Sequence, residues 1–233
     1  MRAAVAGGAD LVELGIPFSD PTAEGPVIQS ANVRALSGGA TTDGIFALAK
    51  ALRAEVSVPL VFMTYANVVY SYGIERFCDR CVEAGVDGMI LPDVPFEEKD
   101  DFAPACRARG LSFISLIAPT SESRIATIAR EAEGFLYIVS SLGVTGVRGE
   151  ITTDIGAMVR LVRANSDIPC AVGFGISTPA QAARMAGLSD GAIVGSAIVR
   201  LVAEHGRDAA PIVREYVQSM KAAIAAGQAP SGV

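Results

Sequence analysis

Short apolar segments alternate with longer amphipathic segments along this chain of 233 residues. The apolar segments contain few polar positions, which is the pattern of strands that are buried on both faces of a sheet. Two of them read Leu-Val-Phe-Met and Leu-Tyr-Ile-Val. We predict strands at residues 11–14, 59–64, 88–91, 112–117, 135–139, 169–173 and 192–194.

The segments between these strands have helical periodicity and recognisable helix boundaries. Ser121 is a good N-cap for the helix that follows it, and Ser177 or Thr178 caps a later helix. Residues 1–8 resemble the end of a helix, because an alanine-rich stretch stops at two glycines. We predict further helices at residues 27–36, 42–56, 74–84, 97–109, 121–132, 154–165, 178–186, 196–204 and 209–226.

This alternation predicts an α/β fold with a parallel sheet and crossover helices. One helix-to-strand turn occurs twice, as Gly-Gly-Ala-Asp-Leu at 7–11 and as Ala-Gly-Val-Asp-Gly at 84–88. The seven predicted strands are one fewer than a closed (βα)8 barrel needs. Two architectures therefore remain open, an open doubly wound sheet or a barrel whose first strand lies upstream of Met1. We predict a single domain at residues 1–226, followed by a disordered tail at 227–233.

Charge and composition exclude several classes of partner. The formal net charge is −6, the sequence pI is about 4.9 and tryptophan is absent. Binding to nucleic acid or to an anionic membrane surface would need a basic patch, and base stacking would need aromatic residues. No apolar run approaches the roughly 20 residues of a membrane span, and the N-terminus lacks a signal-peptide core. We expect a cytoplasmic protein.

The four cysteines are expected to be core residues. Cys78 and Cys81 form a C-x-x-C pair inside a helical pattern, where both lie on the apolar face. A zinc site would need two further ligands, and a redox motif would stand at the start of a helix. Cys106 and Cys170 complete the set.

The stretch from Glu13 to Pro26 is the strongest candidate for chemistry. Glu13 lies near the end of a predicted buried strand, and the following loop carries Asp20 and Glu24. Acids are rare on buried strands unless they are paired or have a task. An acid at a strand end with more acids in the next loop is typical of general acid–base sites in α/β enzymes. The alternative is that Glu13 only ends a strand and that the loop is a surface turn.

The last two strand-to-helix turns are rich in glycine, at residues 173–177 and 195–198. Glycines let backbone N–H groups approach a ligand, and a helix N-terminus attracts an anion. Loops at this position are the usual phosphate site of α/β barrels. Neither turn contains Lys or Arg, so neutral N–H donors would hold the phosphate. The alternative is that these glycines serve only to make tight turns.

General acid–base catalysis must come from Glu, Asp or Tyr side chains. The single histidine, His205, falls late in a predicted helix and is expected at the surface. A Ser-His or Cys-His nucleophile is therefore nearly excluded, and no spacing of ligands suggests a metal. With Tyr137 near the acids, the residues favour proton transfer or carbon–carbon cleavage on a small phosphorylated substrate.

Several motifs of the chain resemble the tryptophan synthase alpha chain family. The resemblance is collinear from about residue 1 to the final helix, and its first and fourth motifs are highly specific. The motifs are ELGIPFSDP with EGPVIQ (13–29), MTYAN (63–67), DVPFE (93–97), GVTG (143–146), GFGIS (173–177) and GSAIV (195–199).

The resemblance implies a (βα)8 TIM barrel that cleaves indole-3-glycerol phosphate to indole and glyceraldehyde 3-phosphate. The essential glutamate of the family falls on Glu13, which would protonate the indole ring and then act as a base in a retro-aldol step. Glu24 stands where the family usually has Asp, an acid that stabilises positive charge on the indole nitrogen. Tyr137 matches the active-site tyrosine. Thr145 matches the residue that orders the catalytic acids, and the matches to the phosphate cup are Gly146, Gly175, Gly195 and Ser196.

The resemblance also implies a partner. The family works in an α2β2 complex, in which the beta chain carries pyridoxal phosphate and receives indole through a tunnel, whereas the alpha chain needs no cofactor. The surface expected to contact the beta chain includes Pro17, Asp20, Pro21, Asn67, Asp93 and Pro95.

One departure from the family leaves the activity of this chain open. Family members usually begin earlier, so the barrel is expected to lack its N-terminal helix and first strand. Three alternatives to an alpha subunit with lyase activity follow. They are a non-catalytic partner that activates the beta chain, a stand-alone lyase that releases indole, and a phosphosugar isomerase, against which the indole-side motifs argue.

Overall fold

A computed structural model describes residues 1–139, 154–173 and 175–228. Its described strands are all parallel and are hydrogen-bonded in the orders β1-β2-β3-β4 and β5-β6-β7-β8. The strands are β1 (Val12–Gly15), β2 (Leu60–Met63), β3 (Gly88–Ile90), β4 (Ser112–Phe113), β5 (Leu116–Ile117), β6 (Leu136–Val139), β7 (Cys170–Gly173) and β8 (Gly191–Ala192).

The two runs of strands form one continuous wall. β4 and β5 are the two halves of the predicted strand at 112–117, interrupted at Ile114 and Ser115. The backbone bridges the interruption, because Ile114 N–H donates to the Met89 carbonyl at 2.9 Å and the Ser115 carbonyl accepts from Tyr137 N–H at 3.1 Å. The wall therefore has seven strand positions in chain order, as the sequence predicts.

Helices cover the outside of this wall, and most begin where the sequence places them. Thr41, Ser121, Asp154 and Thr178 each accept a backbone N–H in the first turn of a helix, and Thr178 forms a capping box with Gln181. The helices are α1 (Arg2–Ala6), α2 (Pro26–Ser37), α3 (Thr42–Arg53), α4 (Ala66–Tyr72), α5 (Ile74–Ala84), α6 (Ala103–Arg107), α7 (Glu122–Arg130), α8 (Ile155–Arg163), α9 (Pro179–Leu188), α10 (Ser196–His205) and α11 (Ala209–Gln228).

Several boundaries differ from the sequence prediction. The last strand, predicted at 192–194, is found at Gly191–Ala192, and the helix predicted at 42–56 ends at Arg53. The helix predicted at 97–109 is a 3-10 turn, Phe96–Asp101, followed by α6, because Pro104 can begin a helix but cannot continue one. Helix α4 is not among the predicted helices, because it has too few turns for a helical period to be visible in the sequence. The final helix includes Gly227 and Gln228, which the sequence prediction assigned to a disordered tail, and residues 229–233 lie outside the described part of the chain.

The core has two layers around the wall of strands. Outside the barrel, large side chains of the strands and helices pack together, and the rings of Phe46, Phe62 and Phe77 meet at 5.1 to 6.3 Å. Inside the barrel lies a smaller cluster that includes Ile90 and Ile114. Cys78, Cys81, Cys106 and Cys170 are all buried, as predicted for core residues. Within the described ranges, no helix is long and apolar enough to span a membrane.

The wall does not close between β8 and β1. Within residues 1–139, 154–173 and 175–228, β1 pairs only with β2 and β8 only with β7. A cavity of about 1250 Å³ occupies this region, with Leu11, Val61, Ile114 and Ile193 in its lining. The architecture is thus that of a (βα)8 barrel with one gap in the described wall, rather than an open doubly wound sheet.

Candidate active site

Glu13 lies on β1 with its side chain towards the inside of the barrel. Its neighbours Val12 and Leu14 pack into the outer core, and alternation along a strand turns Glu13 the other way. Removal from water raises the pKa of Glu13 from its ordinary value of 4.5 to about 7. A carboxyl group with this pKa is divided between its acid and base forms at neutral pH, so it can both donate and accept a proton.

Tyr137 faces the same interior from β6. It is buried among the inner cluster with Val61 and Ile114. Burial, together with the nearby charge of Glu13, raises the pKa of Tyr137 well above its ordinary value. The phenol therefore stays protonated, and the influence of Glu13 on its pKa indicates that the two predicted residues lie near each other inside the barrel.

Glu24 lies in the loop between β1 and α2, immediately before the helix N-cap Gly25. Asn32 Nδ2 donates to Glu24 Oε2 at 2.6 Å. Partial burial raises the pKa of Glu24, and hydrogen bonds from Asn32 and Tyr65 oppose that increase. The hydrogen bond from Asn32 thus fixes the position of the Glu24 carboxyl group at the mouth of the barrel.

Tyr65 connects this loop to the next one. Its hydroxyl accepts the Ala23 N–H at 3.1 Å, and its ring packs against Phe18 with centroids 5.4 Å apart. Burial is the main cause that raises the pKa of Tyr65 to about 12, so this phenol also stays protonated. Asn32 and Tyr65 are outside the predicted set of catalytic residues. The sequence gives a signal for Tyr65, because this residue directly follows a predicted strand. It gives none for Asn32, which is one polar residue among several on a helix.

The predicted anion site lies at the start of α10. Gly195 is the N-cap of this helix and Ser196 its first residue, and no side chain caps it. A Cβ at Gly195 would meet no described atom within 4 Å, so the space before the helix is open. The start of α9 differs, because Gln181 Oε1 already accepts the N–H groups of Ser177 and Thr178. Among the described residues, the N-terminus of α10 therefore has no side-chain acceptor, whereas two N–H groups at the start of α9 already have one.

The remaining predicted anion ligands have two different outcomes. Gly175 lies in the turn after β7 with φ of 81°, a conformation that favours glycine. Thr145 and Gly146 lie outside the described residues. Among the described residues, no group of three or more His, Cys, Asp or Glu side chains could hold a metal ion.

The six residues predicted to face a partner follow β1, β2 and β3, five of them on loops and Asn67 in the first turn of α4. These loops are linked, because both carboxylate oxygens of Asp93 accept the Ala66 N–H, at 3.0 and 3.2 Å. Pro17 and Pro21 are half-buried, and the exposed members are Asp20, Asn67, Asp93 and Pro95. The predicted surface therefore lies at the same end of the barrel as Glu24.

The large cavity reaches only part of the candidate site. It reaches Glu13 and Gly195, but neither Glu24 nor Tyr137 lines it. Its other lining residues come from the N-terminal ends of the strands, such as Gly88 and Ala171, and from the helices around the gap between β8 and β1. The cavity therefore approaches the candidate site from the side of the barrel, where Glu13 is partly accessible.

Comparisons with known proteins agree with this arrangement along nearly the whole chain. A family model described as "Tryptophan synthase alpha chain" matches residues 1–226. The tryptophan synthase alpha chain of Lactiplantibacillus plantarum is 49% identical over 218 residues, which are 93% of this chain and 82% of that protein. The crystal structure of a tryptophan synthase alpha chain from Legionella pneumophila matches with a TM-score of 0.85 and 37% identity, over 99% of this chain and 86% of that chain.

A further solved structure is that of the tryptophan synthase a2b2 complex from Pyrococcus furiosus, described in terms of mutual activation. It matches with a TM-score of 0.81 and 32% identity, over 94% of this chain and 88% of that chain. Both structural matches support the barrel fold of this chain.

Proposed function

This chain belongs to the tryptophan synthase alpha chain family, and we propose that it cleaves indole-3-glycerol phosphate to indole and glyceraldehyde 3-phosphate with Glu13 as both acid and base. The observation that carries this proposal is the carboxyl group of Glu13 inside the barrel, with a pKa of about 7. General acid–base catalysis is most effective when the pKa of the group lies near the working pH.

The reaction needs two proton movements at one carboxyl group. Protonated Glu13 gives its proton to C3 of the indole ring, which leaves a positive charge on the ring nitrogen. The resulting carboxylate takes the proton of the hydroxyl on the carbon attached to C3. The bond between these carbons then breaks, its electron pair restores the aromatic ring, and the oxygen becomes the aldehyde of glyceraldehyde 3-phosphate. Glu13 ends the cycle protonated.

Glu24 would stabilise the positive charge that develops on the indole nitrogen. Its side chain is one methylene longer than that of the Asp that the family usually has at this position. The 2.6 Å hydrogen bond from Asn32 fixes one carboxylate oxygen, which supports a defined position for the other. Tyr137 would form part of the wall opposite Glu13, where its protonated phenol can donate a hydrogen bond.

The phosphate group would bind at the N-terminus of α10. Gly195, Ser196 and Gly175 supply the site on the described side of the barrel, and the N–H groups and the helix dipole attract the dianion. Thr145 and Gly146 belong to the proposed site through the resemblance of their motif. Phosphate binding would position the glycerol carbons near Glu13.

We propose a tryptophan synthase beta chain as the partner, in an α2β2 complex. The support is the similarity to the Pyrococcus furiosus complex and the group of loops at the mouth of the barrel. The half-buried Pro17 and Pro21 beside the exposed Asp93 and Pro95 form a surface of mixed polarity, which fits an interface. The proposed chemistry in this chain uses only protein groups, whereas pyridoxal phosphate would belong to the beta chain.

One observation favours a second candidate function. The cavity in the gap of the barrel reaches Glu13, and water there would weaken the control of its protonation. On this reading the chain binds and activates a beta chain without cleaving its own substrate. The two functions differ in a direct measurement of the lyase reaction.

The experiment is indole release from indole-3-glycerol phosphate, measured with and without a beta chain, for the parent chain and for Glu13→Gln. Cleavage that is lost in the variant supports the proposed function. Cleavage that the beta chain does not increase would favour a stand-alone lyase. Complex formation in sedimentation, together with no cleavage by the parent chain, would support the non-catalytic partner.

A further inference from the structure

The turn between β7 and α9 is held at its far end by side chains of two helices. It runs from Gly173, the last residue of β7, to Thr178, the N-cap of α9, and it contains Gly175. Gln181 of α9 and Tyr216 of α11 both contact the last residues of this turn. These contacts determine how the turn presents its backbone N–H groups.

Gln181 holds the turn from within α9. Its Oε1 accepts the Ser177 N–H at 2.8 Å, the Ser177 hydroxyl at 3.2 Å and the Thr178 N–H at 3.1 Å. In return the Thr178 hydroxyl oxygen accepts the Gln181 N–H at 3.3 Å. All of these partners are close in sequence, so the contacts fix the end of the turn relative to α9 alone.

Tyr216 supplies a contact from a distant part of the chain. Its hydroxyl donates to the Ser177 carbonyl at 2.8 Å, across 39 positions of sequence. The Ser177 carbonyl and the Thr178 N–H belong to one planar peptide unit. Tyr216 and Gln181 therefore hold opposite sides of the same peptide plane, and its orientation is fixed against both α11 and α9.

The packing of Tyr216 suits it to this contact. Its ring packs against two apolar clusters of the core, one of which includes Met185 of α9 and the other Val213 of α11. A packed ring has few alternative rotamers, so the hydroxyl stays in one place. Burial raises the pKa of Tyr216 to about 12, and the hydroxyl therefore remains a donor at neutral pH.

The beginning of the same turn is fixed by the sheet. Gly173 pairs with Val139 of the neighbouring strand β6, and Ile176 is buried in the outer core. Only three residues separate Gly173 from Ser177, and one of them is Gly175 with its φ of 81°. A short segment that is anchored at both ends has few backbone paths open to it. The direction of the Gly175 N–H thus depends on the anchors.

This turn lies beside the start of α10. The Ile193 N–H donates to the Val172 carbonyl at 2.8 Å, so the chain beyond β8 continues alongside the end of β7. Gly195, the N-cap of α10, follows two residues later. Because the segments that follow parallel strands lie at one end of a barrel, Gly175 and Gly195 are on neighbouring segments at the same end.

We propose that Tyr216 is a positioning residue for the phosphate group of the substrate. Its hydrogen bond to the Ser177 carbonyl holds the turn so that the Gly175 N–H faces the anion at the start of α10. The inference rests on the proposed function, and Tyr216 itself does not touch the substrate. Loss of its hydroxyl weakens phosphate binding and leaves proton transfer at Glu13 unchanged. Water can solvate the Ser177 carbonyl in its place but does not hold the peptide in one orientation.

The test is Tyr216→Phe, which keeps the ring and removes only the hydroxyl. The full chain is titrated with glycerol 3-phosphate in a calorimeter, and glycerol serves as the ligand without phosphate. We expect the Kd for glycerol 3-phosphate to rise by about fivefold in the variant. The KM for indole-3-glycerol phosphate should rise by the same factor, whereas kcat stays within about twofold of the parent value.

Tyr72→Phe is the matched control. The Tyr72 hydroxyl donates to Asp43 Oδ1 at 2.5 Å, and its ring packs against Phe46 in the half of the barrel formed by β1 to β4. This variant also loses one hydrogen bond of a tyrosine hydroxyl. It should lower the Tm to a similar extent but leave the Kd for glycerol 3-phosphate unchanged.

Two results would overturn the role of Tyr216. They are equal Kd values for the parent and Tyr216→Phe beside a lower Tm of the variant, or a fall in kcat with an unchanged KM. A parent chain that binds no glycerol 3-phosphate would overturn the anion site and this role together. If the parent binds glycerol 3-phosphate but releases no indole, the proposed lyase function fails, and the two Kd values still decide the role of Tyr216.

Discussion

A Cβ atom added at Gly173 would lie 2.5 Å from Cε1 and 2.6 Å from Cζ of the Tyr137 ring. Real Cβ atoms do not approach other atoms so closely, so only glycine at the end of β7 leaves room for this tyrosine. The ring that faces Glu13 is therefore positioned by the absence of a side chain on the neighbouring strand.

The first prediction concerns this close contact. Gly173→Ala should push the Tyr137 ring out of place and lower kcat/KM for indole-3-glycerol phosphate by at least about tenfold, because overpacking shifts side chains and backbone. Gly191→Ala on β8 is the matched control, since its Cβ would meet Ala171 Cβ at an ordinary 3.6 Å. In a Tyr137→Ala background, which has its own loss of stability, Gly173→Ala should lower the Tm little further, because the ring it would clash with is gone. Full activity of Gly173→Ala would contradict the assigned contact.

The second prediction concerns the chemistry of Glu13. Glu13→Gln keeps the shape of the side chain but removes its proton, and kcat should fall by about 10²- to 10⁴-fold. Because the first step needs the protonated acid, kcat/KM of the parent chain should fall as the pH rises through about 7, the pKa of Glu13. Indole release is measured from pH 5.5 to 9. Glu55→Gln, at an exposed site, provides the control. A parent profile that is flat across pH 7 would refute this role.

The third prediction concerns stability rather than activity. Between pH 4.5 and about 7 the unfolded chain ionises Glu13 while the folded chain keeps it protonated, so the folded state binds more protons and loses stability as the pH rises. Above pH 7 this cost is constant, at most about 3 kcal/mol, and water in the cavity reduces it. Glu13→Gln should therefore be more stable than the parent at pH 8 and little changed at pH 4.5. Urea unfolding of the parent and the variant at pH 4.5 and pH 8 measures this. The same difference in stability between the two proteins at both pH values would contradict the raised pKa of Glu13.

The fourth prediction concerns the hydrogen bond from Asn32 to Glu24. Asn32→Ala should lower kcat/KM by about tenfold, because it frees the Glu24 carboxylate that we propose stabilises charge on the indole nitrogen. Gln29→Ala is the matched control, since Gln29 donates to the Glu24 main-chain carbonyl at 2.7 Å and not to its side chain. In a Glu24→Ala background the change at Asn32 should have no further effect. Additive losses in the double variant would show that Asn32 acts independently of Glu24.

The local pattern of the sequence was sufficient for the elements and for part of the site. Strands without polar alternation and capping residues such as Ser121 and Thr178 are visible in short stretches of sequence. The structure has these strands and caps within a few residues of the predicted places. Because the loops that follow parallel strands lie at one end of a barrel, the sequence also assigned Glu13 and Gly195 to the same end. These features depend on interactions within a few residues, so a single sequence determines them.

Contacts between distant segments were decided by the tertiary structure. Tyr137 lies near Glu13 because the wall curves and brings β6 towards β1, and its ring fits there because Gly173 has no side chain. Asn32 reaches Glu24 only because the loop before α2 folds back over the first turns of that helix. The elevated pKa of Glu13 has the same origin, since it follows from the apolar interior that the other strands enclose. Closure and burial are properties of the assembled barrel, and no local pattern along the chain encodes them.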